Sequence, residues 1–174
     1  MSLKVMKTFS LTALAASLLI LGLAGSAMAG GDWNDSGVTW RTYEDGLAAA
    51  KAENKPVCLV FYTDWCPHCA KYSAVFHDPR VVEKSKQFVM IRLNKDETPS
   101  LSSQYAPDGE YIPRTYFLAP DGSLRAEITE QRPTYKYFYN EHDAASLLRS
   151  MDVAAAPAQP PALPPAPATP PAAP

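Results

Sequence analysis

Two stretches of the chain are almost continuously apolar, and they predict buried strands. Residues 57–62 run V-C-L-V-F-Y, and residues 88–93 run F-V-M-I-R-L. A strand with one solvent-exposed face alternates apolar with polar positions, whereas a strand covered on both faces is apolar throughout. Both runs are therefore predicted as strands inside an α/β sheet.

Helical patterns surround these strands. Residues 42–52 carry apolar positions on one side of a helix, with Thr42 as the N-cap. Asp78 followed by Pro79 is a strong start signal, because aspartate caps a helix and proline suits its first position. It predicts a short helix over 80–86. The segment 96–109 is polar and predicted as a loop, with one helical turn near 101–105.

The second half of the domain is predicted to end in a hairpin and a helix. Residues 115–118 and 124–128 flank A-P-D-G at 119–122, a turn pattern that joins antiparallel strands. Asn140 is the expected cap of a last helix that ends near Met151. The aromatic run 135–139 is interpreted as alternating core and surface positions on a strand. The order predicts an α/β fold with a central mixed sheet flanked by helices.

The first 29 residues have the pattern of a secretory signal peptide. Lys4 and Lys7 form a positive n-region, residues 11–23 are uncharged and mostly apolar, and Ala27-Met28-Ala29 offers a small-x-small cleavage site. The apolar stretch is shorter than the roughly 20 residues of a membrane span. An uncleaved anchor is the alternative. Cleavage predicts a periplasmic or otherwise extracytoplasmic protein without stable membrane association.

The other end of the chain is a segment of proline and alanine. Residues 154–174 hold nine of the 17 prolines. Such a composition cannot bury enough apolar surface to offset its ordering entropy, so an extended tail is predicted. It is interpreted as a spacer, with a tether to the cell wall or to a proline-binding partner as the alternative. Residues 30–153 remain as one domain.

The net charge of the chain argues against some classes of partner. The full chain has a formal net charge of −2, and loss of two leader lysines brings it to −4. This balance is too mild to predict nucleic acid or an anionic membrane as a partner.

The candidate chemistry lies in Cys66-Pro67-His68-Cys69, directly after the strand predicted over 57–62. Cysteines at i and i+3 of a helix start share one face, and they can alternate between dithiol and disulfide. The helix dipole favours a thiolate at Cys66, which is expected to be the exposed sulfur. Pro67 suits the first turn, and His68 is expected to add positive charge or a hydrogen bond beside the thiolate. These features favour an oxidant over a reductant.

Other interpretations of the cysteines remain open. A structural disulfide would close a very short loop and stabilise little. A soft-metal half-site would use Cys66 and Cys69 with His68 or His77, although no second cysteine pair or histidine pair completes a zinc set. Cys58, inside the apolar strand, is interpreted as a small buried hydrophobe.

These motifs resemble the thioredoxin superfamily, through V-C-L-V-F-Y, T-D-W-C-P-H-C at 63–69 and Y-I-P at 111–113. The resemblance implies a cis-proline at Pro113 facing the cysteines, with the backbone of Ile112 pairing with an extended substrate segment. The tetrapeptide C-P-H-C is like that of the periplasmic disulfide oxidase. The segment 55–66 is similar to the soluble domain of the bacterial transmembrane disulfide reductase.

A closer likeness covers nearly the whole domain. W-R-T-Y-E-D-G at 40–46, A-P-D-G-E-Y-I-P-R at 106–114, F-L-A-P-D-G at 117–122 and Y-K-Y-F-Y at 135–139 resemble the small anterior-gradient group of the endoplasmic reticulum. Thioredoxins usually carry a buried acid six residues before the first active-site cysteine, where this chain has Val60. The anterior-gradient group tends to be apolar there. Cys69 would then need another proton acceptor, such as water or Glu127.

The sequence thus predicts an exported thiol–disulfide oxidoreductase acting on protein thiols and disulfides. Its catalytic residues would be Cys66, Cys69, His68 and Pro67, and its substrate-binding residues Trp65, Ile112 and Pro113. Such exchange needs no bound cofactor or metal, but it needs a redox partner to recycle the cysteines. The open alternatives are a reductase and a chaperone or metal-binding module using the same face.

Overall fold

The structure, a computed structural model, describes residues 30–156. The predicted leader at 1–29 lies outside the described residues, as does the tail from 157 onward. Between residues 30 and 156, no helix is both long enough and apolar enough to cross a membrane.

A four-stranded mixed sheet forms the centre of the domain. The strands are β1 Trp40–Arg41, β2 Val57–Tyr62, β3 Val89–Asn94 and β4 Arg114–Leu118, in the sheet order β1-β3-β2-β4. The first three run parallel, and β4 pairs antiparallel with β2. The predicted fold class is confirmed.

Within residues 30–156, five helices cover the sheet, and the start signals in the sequence mark where two of them begin. They are α1 Tyr43–Glu53, α2 Pro67–Ser73, α3 Pro79–Ser85, α4 Pro99–Gln104 and α5 Ala145–Ala155, and a 3₁₀ turn at Ala74–His77 continues α2. Thr42 caps α1 by accepting the Asp45 N–H, and Asp78 caps α3 by accepting the Arg80 N–H. The predicted N-caps Thr42 and Asp78 are confirmed.

Strand β2 is buried on both faces, as its apolar run predicts. Cys58 and Val60 point into a core shared with α2, α3 and α5, and Val57, Leu59 and Phe61 point into a second core beneath α1. Burying apolar area on both sides contributes about 25 cal/mol per Å² removed from water. This strand is therefore held firmly at the centre, and its carboxyl end is a rigid origin for the segment that follows.

The predicted hairpin is wrong. Residues 124–128 form no strand: Leu124 makes one isolated bridge with Leu118, and the Arg125 N–H donates to the carbonyl of Phe117. The edge of β4 is instead met by residues from further along the chain, since the Thr115 N–H donates to the carbonyl of Tyr137. The antiparallel partner of β4 inside the sheet is β2.

Two further details differ from the sequence-based expectation. Strand β1 was not predicted, because two residues leave no periodicity to detect. The predicted alternation on a strand over 135–139 is wrong, because no strand forms there and Tyr135 is exposed although Tyr137 and Tyr139 are buried.

The last helix also differs at both ends. Asn140 does not cap it, since its side chain accepts the His142 N–H in a local turn, and α5 begins at Ala145. The helix ends at Ala155 rather than Met151, so the first two residues of the predicted tail belong to the folded domain.

An N-terminal segment before β1 packs against α2. Trp33 is 3% exposed, its indole N–H donates to the carbonyl of Gly30 at 2.9 Å, and its ring meets Tyr72 and Phe76 edge-on or tilted. Gly31 has φ +90°, and a Cβ there would lie 2.8 Å from the Cα of Ala70. This close backbone approach is open only to glycine, and it fixes one side of α2.

We expect Gly31→Ala to lower the free energy of unfolding by about 2–3 kcal/mol, because it adds a steric clash to an unfavourable φ. Gly122→Ala is the matched control: its φ is +85°, but a Cβ there would meet its nearest neighbour, Leu47, at an ordinary 3.5 Å. The control should lose only about 1 kcal/mol. Urea unfolding of both variants measures the difference, and equal losses would show that the segment does not press on α2.

Candidate active site

The chain leaves the sheet at Tyr62 and four residues later reaches Cys66, the N-cap of α2. Pro67 occupies the first helical position, as predicted, where its missing N–H costs nothing. The Cys66 sulfur accepts the backbone N–H of Cys69 at 3.1 Å. One sulfur therefore satisfies an orphan amide of the helix and lies beside the backbone of the second cysteine.

Cys66 is less exposed than the sequence suggests. The residue is only 4% exposed, and its Sγ lies 4.0 Å from the carbonyl oxygen of Ile112. The expectation of an openly exposed sulfur is therefore wrong, because the residues around the N-terminus of α2 cover it.

The other two cysteines are fully buried free thiols. Burial raises the pKa of the Cys69 thiol, and hydrogen bonding to Cys66 adds to the rise, while a backbone hydrogen bond at Thr63 opposes it. Burial alone raises the pKa of the Cys58 thiol. Cys58 belongs to the same core as Val60, in line with its interpretation as a buried hydrophobe.

His68 lies at the second position of α2 and turns toward the end of the domain rather than toward Cys66. Its Nδ1 is 2.7 Å from the Oε2 of Glu141, and its ring meets Phe138 edge-on at 5.8 Å. Among the described residues, the hydrogen bond to the Cys66 sulfur comes from the backbone of Cys69. Sequence reasoning missed Glu141, because a polar residue in a loop 73 positions from His68 carries no local signal.

Trp65 is the exposed aromatic of the site. Its side chain and backbone together are 70% exposed, and its indole N–H donates to the Asp96 carboxylate at 2.7 Å. Trp65 therefore does not belong to the core. The hydrogen bond holds an apolar ring beside Cys66 in open solvent, where another chain can reach it.

Pro113 follows a cis peptide bond from Ile112, as the family resemblance implied. The carbonyl oxygen of Ile112 contacts the Cys66 sulfur at 4.0 Å, so the Ile112–Pro113 segment faces the N-terminus of α2. Sequence reasoning missed the residue that anchors the segment. Arg114 is fully buried, and its guanidinium donates to the carbonyls of Tyr105 at 2.9 Å and Gly109 at 3.1 Å.

A neutral pair of hydroxyls lies next to Val60. Thr115 is the partner of Val60 across the sheet, and its hydroxyl is 2.9 Å from that of Tyr72. Burial raises the pKa of Tyr72, so this pair stays uncharged. Glu127, the distant acceptor considered for Cys69, is instead bound to Arg125 and mostly exposed.

The metal alternative receives no support from the geometry. Over residues 30–156, no three His, Cys, Asp or Glu side chains are placed so that they could hold a metal ion. His77 lies at the end of the 3₁₀ turn, where its Nε2 is 3.0 Å from the carbonyl oxygen of Asp32.

We expect iodoacetamide to modify Cys66 alone in the reduced, folded protein at neutral pH. The raised pKa values of Cys69 and Cys58 leave little thiolate at either residue, and both are inaccessible. Peptide mass spectrometry measures the modification at each site. In guanidinium chloride all three should react, and equal labelling of Cys69 in the folded protein would contradict this assignment of the nucleophile.

Comparisons with known proteins agree with this geometry. Residues 39–120 match a family model described as thioredoxin-like. The human anterior gradient protein 2 homolog is 34% identical over 123 residues, which are 70% of this chain and 69% of that protein. Anterior gradient protein 3 of Xenopus tropicalis is 33% identical over 125 residues, 70% of this chain and 74% of that protein.

A solved structure supports the fold. The solution structure of a thioredoxin from Thermus thermophilus superposes with a TM-score of 0.53 at 24% identity, over 67% of this chain and 86% of that one. With the sheet order, the paired cysteines at the start of α2 and the sequence identity taken together, the chain belongs to the anterior gradient group of thioredoxin-like proteins.

Proposed function

We propose that this protein is an exported thiol–disulfide oxidoreductase that exchanges disulfides with protein substrates through Cys66 and Cys69, in the oxidising or isomerising direction. The observation that carries the proposal is the hydrogen bond from the Cys69 N–H to the Cys66 sulfur at 3.1 Å. It holds the nucleophile against the residue that must close or open the disulfide. Membership of a thioredoxin-like family supports a general redox role.

Oxidation of a substrate proceeds in two exchanges. A substrate thiolate attacks the Cys66 sulfur of the Cys66–Cys69 disulfide, and Cys69 departs as a thiolate that takes a proton. A second substrate thiolate then attacks the first substrate sulfur, so a substrate disulfide forms and Cys66 is released as a thiolate. Two substrate thiols lose two electrons and two protons, and the protein gains a dithiol. A partner that carries a disulfide must reoxidise it.

The surroundings of the cysteines suit each part of this exchange. Trp65 offers an exposed ring next to Cys66. The backbone of Ile112 lies across from Cys66, next to the cis-proline Pro113, where it can pair with an extended substrate segment. The high pKa of Cys69 keeps this thiol protonated once it has departed. No bound cofactor takes part in these steps.

The preference for oxidation rests on the missing acid. With Val60 and the neutral Tyr72–Thr115 pair where thioredoxins keep a carboxylate, Cys69 lacks a built-in base in that position. A reductase needs Cys69 as an attacking thiolate, and the raised pKa of Cys69 leaves little of that form without a nearby base. The absence of this base therefore counts against efficient reduction.

The proposal includes export. The leader pattern at 1–29, with its cleavage site after Ala29, would deliver the protein to a periplasmic or similar extracytoplasmic compartment, where disulfides persist. There it would act without a nucleic-acid partner and without stable membrane association.

We expect Cys69→Ala to accumulate mixed disulfides between Cys66 and substrate proteins, because the sulfur that resolves them by closing onto Cys66 is gone. Non-reducing gels and mass spectrometry of the purified variant measure the trapped species. The matched controls are Cys66→Ser, which should trap none, and Cys58→Ser, which should behave as the parent. Loss of trapping upon reduction with dithiothreitol identifies the bond.

Two outcomes would contradict the proposal. If Cys69→Ala captures no partner through Cys66, the pair is not an exchanger. If a Cys66→Ser/Cys69→Ser variant retains full biological activity, the same face serves as a binding or chaperone surface instead.

A further inference from the structure

The carboxylate of Glu141 lies within 3.5 Å of three basic side chains, two of which belong to α2. Its side chain is only 9% exposed, with Nδ1 of His68 at 2.7 Å, Nζ of Lys71 at 3.5 Å and Nε2 of His142 at 3.5 Å. His68 and Lys71 are both on α2, one turn apart on the same face. A carboxylate from another part of the chain is thus docked onto the helix that bears Cys66 and Cys69.

The segment around Glu141 is fixed in place by packing. Phe138 meets the ring of His68, and Arg132 stacks over Phe138 at 5.4 Å while donating to its carbonyl. The other acidic groups nearby are Asp78 and Asp143, which line one groove with Glu141.

Neither of these carboxylates competes for the helix cations in the structure. Asp78 is bound to Arg80, which lowers its pKa to about 2. Asp143 accepts the side-chain amide of Asn140 and the N–H of Ala145. Glu141 is therefore the carboxylate that meets His68 and Lys71 among the described residues.

We infer that Glu141 is a positioning residue that moderates the oxidising power of the Cys66–Cys69 pair, by binding the His68 ring and neutralising the positive charge of Lys71 on α2. The inference rests on the proposed exchange function and adds a regulator to it. It predicts that the pair is a milder oxidant than its C-P-H-C sequence alone would make it.

The direction of the expected shift follows from the charge of the reduced form of the Cys66–Cys69 pair. Positive charge near Cys66 stabilises its thiolate, hence the reduced protein, and makes the disulfide more oxidising. Glu141 opposes this effect in two ways: it engages Nδ1 of His68 in a hydrogen bond, and its own charge offsets that of Lys71. Removing the carboxylate should therefore shift the equilibrium toward the dithiol.

The test measures the equilibrium constant between the folded protein and glutathione. The readout is the fraction of Cys66 and Cys69 that can be alkylated. Glu141→Gln keeps the shape of the side chain, and we expect its dithiol form to be favoured about threefold over the parent, the size of one partly screened charge. Lys71→Gln should shift the equilibrium about threefold the other way. The double variant should return close to the parent.

Two controls separate charge from structure. Glu83→Gln removes a carboxylate that pairs with Lys86 on α3, and it should leave the equilibrium unchanged. In 1 M salt the shift in Glu141→Gln should shrink, since screening acts over about 3 Å at that ionic strength. A purely structural role would lower stability but would not be reversed by Lys71→Gln.

Failure of this inference differs from failure of the proposed function. If the parent exchanges with glutathione but Glu141→Gln leaves the equilibrium constant unchanged, or shifts it toward the disulfide, Glu141 does not moderate the Cys66–Cys69 pair. A double variant that stays at the Glu141→Gln value would also overturn the electrostatic account. If the parent itself forms no Cys66–Cys69 disulfide with glutathione, the exchange function is what fails.

Discussion

The sulfur of Cys66 has two roles that constrain each other. As the N-cap of α2, it accepts the N–H of Cys69, and as the candidate nucleophile it must leave that bond to attack or be attacked. A thiolate accepts this hydrogen bond more strongly than a thiol does, because charge-assisted bonds are stronger. The helix start and the reduced state of the site therefore stabilise each other.

Helix α2 can serve this purpose because it is held from three directions. The buried strand β2 fixes where it begins, Gly31 and Trp33 pack on one side, and Glu141 binds the basic side chains on its outer face. The segment from Ile112 to Arg114 faces its N-terminus, and the buried guanidinium of Arg114 ties that segment to the end of α4. Gly31, Ile112 and Glu141 are all distant from α2 in sequence, and together with β2 they fix the position of a single sulfur.

The local features of the sequence predicted the parts of the fold that local physics decides. The apolar run of β2, the capping of α3 by Asp78 and the place of Pro67 all followed from composition and spacing. The hairpin failed because a turn signal at 119–122 does not provide a second strand with partners, and Tyr137 takes the edge of β4 instead. Glu141 could not be predicted, since its partner is 73 positions away.

The central claim is that the Cys66–Cys69 pair donates its disulfide. Its reduction potential, measured against glutathione, tests this most directly. For an oxidant we expect a value on the oxidising side of roughly −230 mV, the lower range of the glutaredoxins. A value near that of thioredoxin, about −270 mV, would contradict it and make the protein a reductant.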